Sequence, residues 1–300
     1  MMRTLGRFRQ AMLVASISFR LIIVGLIGLA LRLFLPSRVA ENRGEPTLLL
    51  GNGPSLAQDL NKLQLNTYES VAAVNFFAAT EWFDVVKPSY YFVQDTYWFD
   101  ENNLREKASL TFDAIRKKLS WEMDFFYPAE FSRSTVISEL SEIPGLNLRP
   151  LRHHSWPPFA SLVSAVDLLP QFSSSNRKIV HRLWDMKLAS VPPVGVVSNA
   201  LFELILSGSK KIDILGLDMS MVLDLRVDSD GSTQFLPKHF YGTAVTPETP
   251  LARTNTMSNS YIKIAKKFES FYLLEGYARH RGCVVRNLSS FTLLDAFRNN

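Results

Sequence analysis

The chain reads as an α/β protein: a single parallel sheet with flanking helices, preceded by a separate hydrophobic helix. Three observations carry that expectation. From Thr47 onward short apolar runs alternate with helical stretches, the pattern of strand–crossover–strand units. The first run, Leu48-Leu49-Leu50, is unbroken leucine, as a buried parallel strand is. Polar residues gather where the runs end, and open α/β sheets hold their ligands at the carboxyl ends of the strands. Three hundred residues, 47% of them hydrophobic, can bury a full core. The expected organisation is a membrane-associating helix and linker over residues 1–40 and one folded domain over residues 41–300.

Residues 11–36 (AMLVASISFRLIIVGLIGLALRLFLP) are long enough to cross roughly 30 Å of hydrocarbon as a helix. Arg20 and Arg32 interrupt them, leaving residues 21–31 as the longest clean apolar run. A central arginine costs about 2.5–3.5 kcal/mol on insertion scales. A spanning anchor and a helix lying in the interface with its arginines reaching the headgroups therefore both stay open. A cleaved signal peptide is not expected, because Arg38 stands where a small residue is needed. Arginines flank both ends, so orientation is not set by charge. The net charge is +5, and Arg3, Arg7, Arg9 and Arg20 supply much of it locally. No Lys/Arg run interleaved with aromatics follows, so nucleic acid is not an expected partner. The single cysteine, Cys283, excludes an intramolecular disulfide and a cysteine-based zinc site, and fits a reducing compartment.

Residues 37–46 are polar and broken by glycine and proline, and read as a linker. The first strand, residues 47–50, runs into Gly51-Asn52-Gly53-Pro54-Ser55. Glycines there let a backbone approach a ligand, Ser55 can cap the following helix, and open N–H groups at a helix start favour a phosphate. A third glycine at dinucleotide-fingerprint spacing is missing. The second strand, residues 71–74, ends on Asn75; the third, residues 89–93, on Gln94 and Asp95. Residues 101–190 read as mostly helical and aromatic. Residues 194–207, opened by Pro192-Pro193, read as a buried helix ending near Gly208. A strand over residues 211–215 ends in Gly216-Leu217-Asp218, and the last strand covers residues 283–288. Asp228-Ser229-Asp230 has the form of a metal-holding Asp-x-Asp. Asp230-Gly231 between two β-prone runs, residues 223–227 and 233–236, instead predicts a hairpin turn.

Several of these pieces together resemble the bacterial sialyltransferases of glycosyltransferase family 42 and the related DUF115-type glycan enzymes. The resemblance runs from Gly51-Asn52-Gly53-Pro54-Ser55-Leu56 through Asn75-Phe76, Val93-Gln94-Asp95, Gly208 to Asp218 and His239-Phe240-Tyr241-Gly242, and ends at Asn287-Leu288-Ser289 and Thr292-Leu293-Leu294. It implies a CMP-sugar glycosyltransferase on a modified Rossmann sheet, metal-independent and without a cofactor other than its donor substrate. The implied partners are a nucleotide sugar, a glycan or glycolipid acceptor and, through residues 11–36, a bacterial inner membrane with the catalytic domain on its cytoplasmic side. Homo-oligomerisation stays open. Asn52 and Gly53 would face the nucleotide, with Gly51 and Ser55 shaping their turn. Asn75 would meet the donor's phosphate or ribose, and Gln94 or Asp95 would replace an asparagine that meets the donor. Gly195, Asp218, Ser220 and Tyr241 complete the implied donor site.

Three departures accompany the likeness. The family's base follows His-aromatic-x-Gly directly, a position held here by Thr243. A tyrosine that holds the leaving phosphate is replaced by Ser220, and an arginine before the buried helix has no match among residues 188–194. A base is still required, and imidazole, with a usual pKa of about 6.5, suits the task. His239, set among aromatics, is the expected base. His153 and His154 lie in a Pro- and Arg-rich loop, which suits a solvated segment. Tyr241 is available to replace the missing phosphate-binding tyrosine. Two other functions stay open: an ATP- and Mg²⁺-dependent pyrophosphokinase using Asp95 and Asp218, and a membrane-tethered scaffold with a degenerate cleft.

Overall fold

The computed structural model describes residues 46–100, 106–151, 174–187, 189–191, 194–223, 225–227, 233–235, 239–241 and 257–297. The hydrophobic segment 11–36, the loop histidines His153 and His154, the turn at residues 228–230 and Thr243 lie outside the described residues. Among the described residues no helix is long and apolar enough to cross a membrane. The chain divides into two compact units, residues 39–152 with 193–300 and residues 1–38 with 153–192. The second contributes one described helix, α5 (Ser174–Asp185), in which Val180 and Trp184 are buried.

The first unit holds seven parallel strands: β1 (Pro46–Leu50), β2 (Ser70–Val74), β3 (Tyr90–Phe92), β4 (Met123–Pro128), β5 (Leu146–Leu151), β6 (Lys211–Leu215) and β9 (Val284–Asn287). Their order across the sheet is β5-β4-β3-β2-β1-β6-β9. A separate antiparallel pair, β7 (Leu225–Val227) and β8 (Thr233–Phe235), is the predicted hairpin. The chain builds outward from β1 to β5, then returns to lay β6 against the other side of β1, with Leu48 opposite both Val71 and Asp213. Strand order therefore reverses between β1 and β6. Loops leaving these two strands diverge there, which opens a crevice at their carboxyl ends.

The central strands are apolar on both faces. Leu48, Leu49 and Leu50 are completely buried. Leu48 and Leu50 share a core with Val71, Ala73, Tyr91 and Phe125, while the intervening Leu49 and Ala72 project to the opposite face by the pleat. Helices α1 (Leu56–Leu60), α2 (Phe83–Val86), α3 (Glu106–Lys118) and α4 (Thr135–Leu140) join the outward-going strands. Helix α6 (Val196–Leu206) is buried along most of its length and packs on α7 (Met257–Arg281) and against β2.

Beyond shifts of one or two residues at element ends, the expectation is corrected in two places. Pro46 is the first residue of β1 rather than linker, pairing with Lys211; a proline is tolerated where a strand starts. Strands β4 and β5 fall inside the stretch read as helical. The β4 sequence MDFFYP is buried at every position between β3 and β5, so it carries no alternation to announce a strand.

Away from the crevice, the buried Asp213 on β6 accepts two bonds of 2.7 Å from Arg286 of β9 and one of 2.9 Å from the Tyr68 hydroxyl. Burial pushes its carboxyl up, but Arg286, Tyr68 and Lys211 together hold it below the usual aspartate value. The same contact, after burial itself, pushes the Tyr68 phenol up to about 12.

Candidate functional site

The turn after β1 is a clamp between β1 and β6. Gly51 N–H donates to Leu215 O at 2.8 Å and Gly53 N–H to Gly216 O at 2.8 Å. Ser55 N–H donates to Asp218 Oδ2 at 2.7 Å, and its hydroxyl donates to Oδ1 at 2.5 Å. Such closeness requires glycine: a Cβ at Gly53 would lie 2.5–2.8 Å from the Asp218 carboxyl atoms. This corrects the reading of the turn as an open phosphate cradle. The amides of Gly51, Gly53 and Ser55 are already spent, and an aspartate occupies the place expected for an anion. The Ser55 side chain does not cap α1; it holds Asp218 instead. Burial raises the Asp218 carboxyl above its ordinary value, against the pull of the two Ser55 bonds.

Beyond this clamp lies a cavity of about 340 Å³ at the carboxyl ends of β1, β2, β3 and β6. Asn52, Gly53, Asn75, Gln94 and Asp95 form its wall on the side of the early strands. Gly195, Asp218, Ser220, His239 and Tyr241 line it as well. Of the expected site residues, Gly51 and Ser55 are absent from the wall and act behind it.

Asn75 is held in an uncommon backbone pose. It has φ of 52°, a left-handed conformation in which asparagine is one of the few residues at ease. The buried Tyr91 hydroxyl donates to the Asn75 carbonyl and accepts from Ala78 N–H at 2.9 Å. The Asn75 side-chain oxygen is buried with no hydrogen-bond partner among the described residues. A buried acceptor left unmatched on a cavity wall is a common mark of a ligand position. The Tyr241 hydroxyl is the second such atom: it lies beside Asn52 with no hydrogen bond of normal geometry, and burial raises its pKa well above the ordinary value. Gln94 is fixed differently, its Oε1 accepting from Asn199 Nδ2 of α6 at 2.5 Å.

His239 meets the turn directly, with Nδ1 3.2 Å from the Asn52 carbonyl oxygen. A carbonyl can only accept, so this bond puts the imidazole hydrogen on Nδ1 and leaves Nε2 of the neutral ring with a lone pair. The imidazole packs on Tyr241 with ring centres 5.1 Å apart, and Tyr241 sets its edge on Phe76 at 5.6 Å. Tyr97 stacks on the same Phe76 at 6.1 Å and also lines the cavity. This aromatic side suits a flat ring.

Several wall residues were not anticipated. Beside the expected Gly195, Val194 and residues 196–198 bring the first turn of α6 to the cavity, and the N–H groups of a first helical turn have no partner within the helix. Lys267, Ser270 and Phe271 reach the wall from one face of α7. Burial lowers the Lys267 pKa, as does Lys263, while Asp95 opposes both. The spacing Ile264, Lys267, Phe271, Leu274, Ala278 was the available sign of that helix face. Among the described residues no group of three His, Cys, Asp or Glu is gathered as for a metal ion.

Comparisons with known proteins find no matching family model and no matching curated relative. The reading of this site rests on its residues.

Proposed function

We propose that the cleft binds a cytidine nucleotide and that the protein is a membrane-attached, sialyltransferase-like glycosyltransferase. It passes a sialic acid-like sugar from a CMP-activated donor to a glycan or glycolipid acceptor. The observation that carries this reading is the convergence of Asn52, Asn75, Gln94, Asp95, His239 and Tyr241, from four separate stretches of chain, on one cavity where the strand order reverses. The sialyltransferase resemblance implies donor contacts for Asn52, Asn75 and Gln94 or Asp95, while His239 as base and Tyr241 as phosphate donor stand in for family residues that this chain lacks. The aromatic side, the unmatched Asn75 oxygen and the unmatched Tyr241 hydroxyl are what a nucleobase, a ribose hydroxyl and a phosphate would complete.

In the transfer, the acceptor oxygen attacks the anomeric carbon and the bond to the donor phosphate breaks. CMP leaves with the electron pair, and the acceptor's proton passes to a base. His239 is that base, the Nδ1 bond to Asn52 O placing the lone pair of the neutral ring on Nε2. Tyr241 donates to the departing phosphate in place of the tyrosine position now held by Ser220. Residues 11–36 hold this chemistry at the cytoplasmic face of a bacterial inner membrane.

Titration calorimetry with CMP and with ATP, each with and without Mg²⁺, tests the reading. CMP should bind without Mg²⁺, and Asn52→Ala should weaken it by about 1–3 kcal/mol, the usual worth of a lost cleft hydrogen bond. ATP binding that appears only with Mg²⁺ would favour the pyrophosphokinase reading, for which Asp95 and Asp218 on the same wall speak. Both Asp218 oxygens already accept from Ser55, which weighs against that second reading. CMP binding without any transfer would leave the tethered scaffold.

A further inference from the structure

We propose that Lys267 is the oxyanion anchor of the cleft, the side chain that receives the phosphate of the bound nucleotide. This deepens the nucleotide reading above and rests on it. The turn after β1, the expected phosphate seat, has its Gly51, Gly53 and Ser55 amides bonded to Leu215, Gly216 and Asp218. A phosphate brought there would face the Asp218 carboxylate. The positive charge must then come from elsewhere on the wall. Among the described wall residues Lys267 is the only lysine or arginine. It stands on α7 one turn from Ser270 and Phe271, which line the same cavity, so the helix face fixes its approach.

The surroundings of Lys267 leave its charge undercompensated. Burial works against the ammonium, Lys263 adds to that, and the exposed Asp95 is the acid that offsets them. A doubly charged phosphate would restore the balance without a metal ion. The first turn of α6 adds its dipole in the same sense at the same cavity. The remaining unmatched atoms fit the rest of a nucleoside monophosphate. The Asn75 oxygen needs a donor, such as a ribose hydroxyl or a base amine, and the Tyr241 hydroxyl can donate to a second phosphate oxygen.

Calorimetry on the full chain in detergent, with cytidine, CMP and inorganic phosphate as separate probes, tests the anchor. Wild type should bind CMP roughly ten- to a hundredfold more tightly than cytidine, the range of a charge-assisted hydrogen bond. Lys267→Gln should bring the two ligands within about threefold while leaving cytidine affinity unchanged, since only the charged contact is lost. Lys267→Met, which keeps the alkyl stem, should do the same, and Lys267→Arg should recover most of the preference. A full preference for CMP in folded Lys267→Gln or Lys267→Met protein overturns the proposal. If wild type binds neither cytidine nor CMP, the nucleotide reading fails by itself and inorganic phosphate decides the anchor. Phosphate binding that Lys267→Gln abolishes upholds it; equal binding in both proteins, or none in wild type, ends it.

Discussion

Replacing Tyr91 by phenylalanine removes one oxygen atom and should disturb both the core and the cleft. The Tyr91 side chain is completely buried, and its ring stacks on Phe125 at 5.8 Å, a contact that phenylalanine keeps. What disappears is the hydroxyl that joins the Asn75 carbonyl to the Ala78 N–H. Leaving one buried polar group unmatched costs about 1–3 kcal/mol. The Asn75 carbonyl and the Ala78 N–H belong to one 3-10 turn and still face each other there, so the loss should be about that of a single group. At about 2–4 °C per kcal/mol for a domain of this size, the melting temperature should fall by at least roughly 2 °C. The second consequence is local. Asn75 is left-handed and depends on that hydroxyl for its pose, so nucleotide binding should weaken in protein that is still fully folded. Thermal melting followed by circular dichroism reads the first effect, and calorimetry with CMP well below the melting range reads the second. A variant within about 0.5 kcal/mol of wild type, the ordinary scatter of neutral substitutions, would refute the accounting. A destabilised variant with wild-type CMP affinity would refute the link between Tyr91 and the cleft.

Three more outcomes follow from the structure. His239→Ala should lower transfer by roughly 10²–10⁴-fold with donor affinity nearly intact, because a base acts mainly in the transition state; a comparable loss of donor affinity would make His239 a binding residue instead. Because the folded Asp213 carboxyl is held below its usual value, its contribution is complete above about pH 4, the ordinary aspartate value, and is lost as pH falls through the lower folded value. Arg286→Gln should therefore lower the urea midpoint at pH 7 and flatten its fall on acidification, and an acid limb as steep as wild type's would remove Asp213 from the account. Deleting residues 1–40 should yield folded protein that no longer sediments with membranes; persistent sedimentation would place the membrane contact elsewhere in the chain.

Much of the sheet centre was legible because its signals are local. A leucine run followed by Gly-Asn-Gly-Pro-Ser, and short apolar stretches that stop on Asn75, on Gln94-Asp95 and on Asp218, mark β1, β2, β3 and β6 without reference to any partner. Most of the expected site residues sit at those strand ends, and a parallel sheet brings its carboxyl ends to one side whatever the order of its strands. The hairpin of β7 and β8 was legible for the same reason, its turn signal lying between its own strands.

Other features could come only from chain segments far apart in sequence. Nothing in MDFFYP separates a doubly covered strand from a buried helix until β3 and β5 flank it. The amides of the glycine turn look open until Asp218, 163 residues away, reaches Ser55 and fills the place a phosphate would have taken. Lys267 has no motif around it, and its value to the cleft depends on which face of α7 turns toward the end of β3. The sequence by itself determined the strand ends and their polar residues, because backbone conformation and strand termination are decided by neighbours in the chain. Which of those residues face the cavity, and which are used up in holding it together, the tertiary structure alone decided, because hydrogen-bond partners and burial are set by segments that meet only after folding.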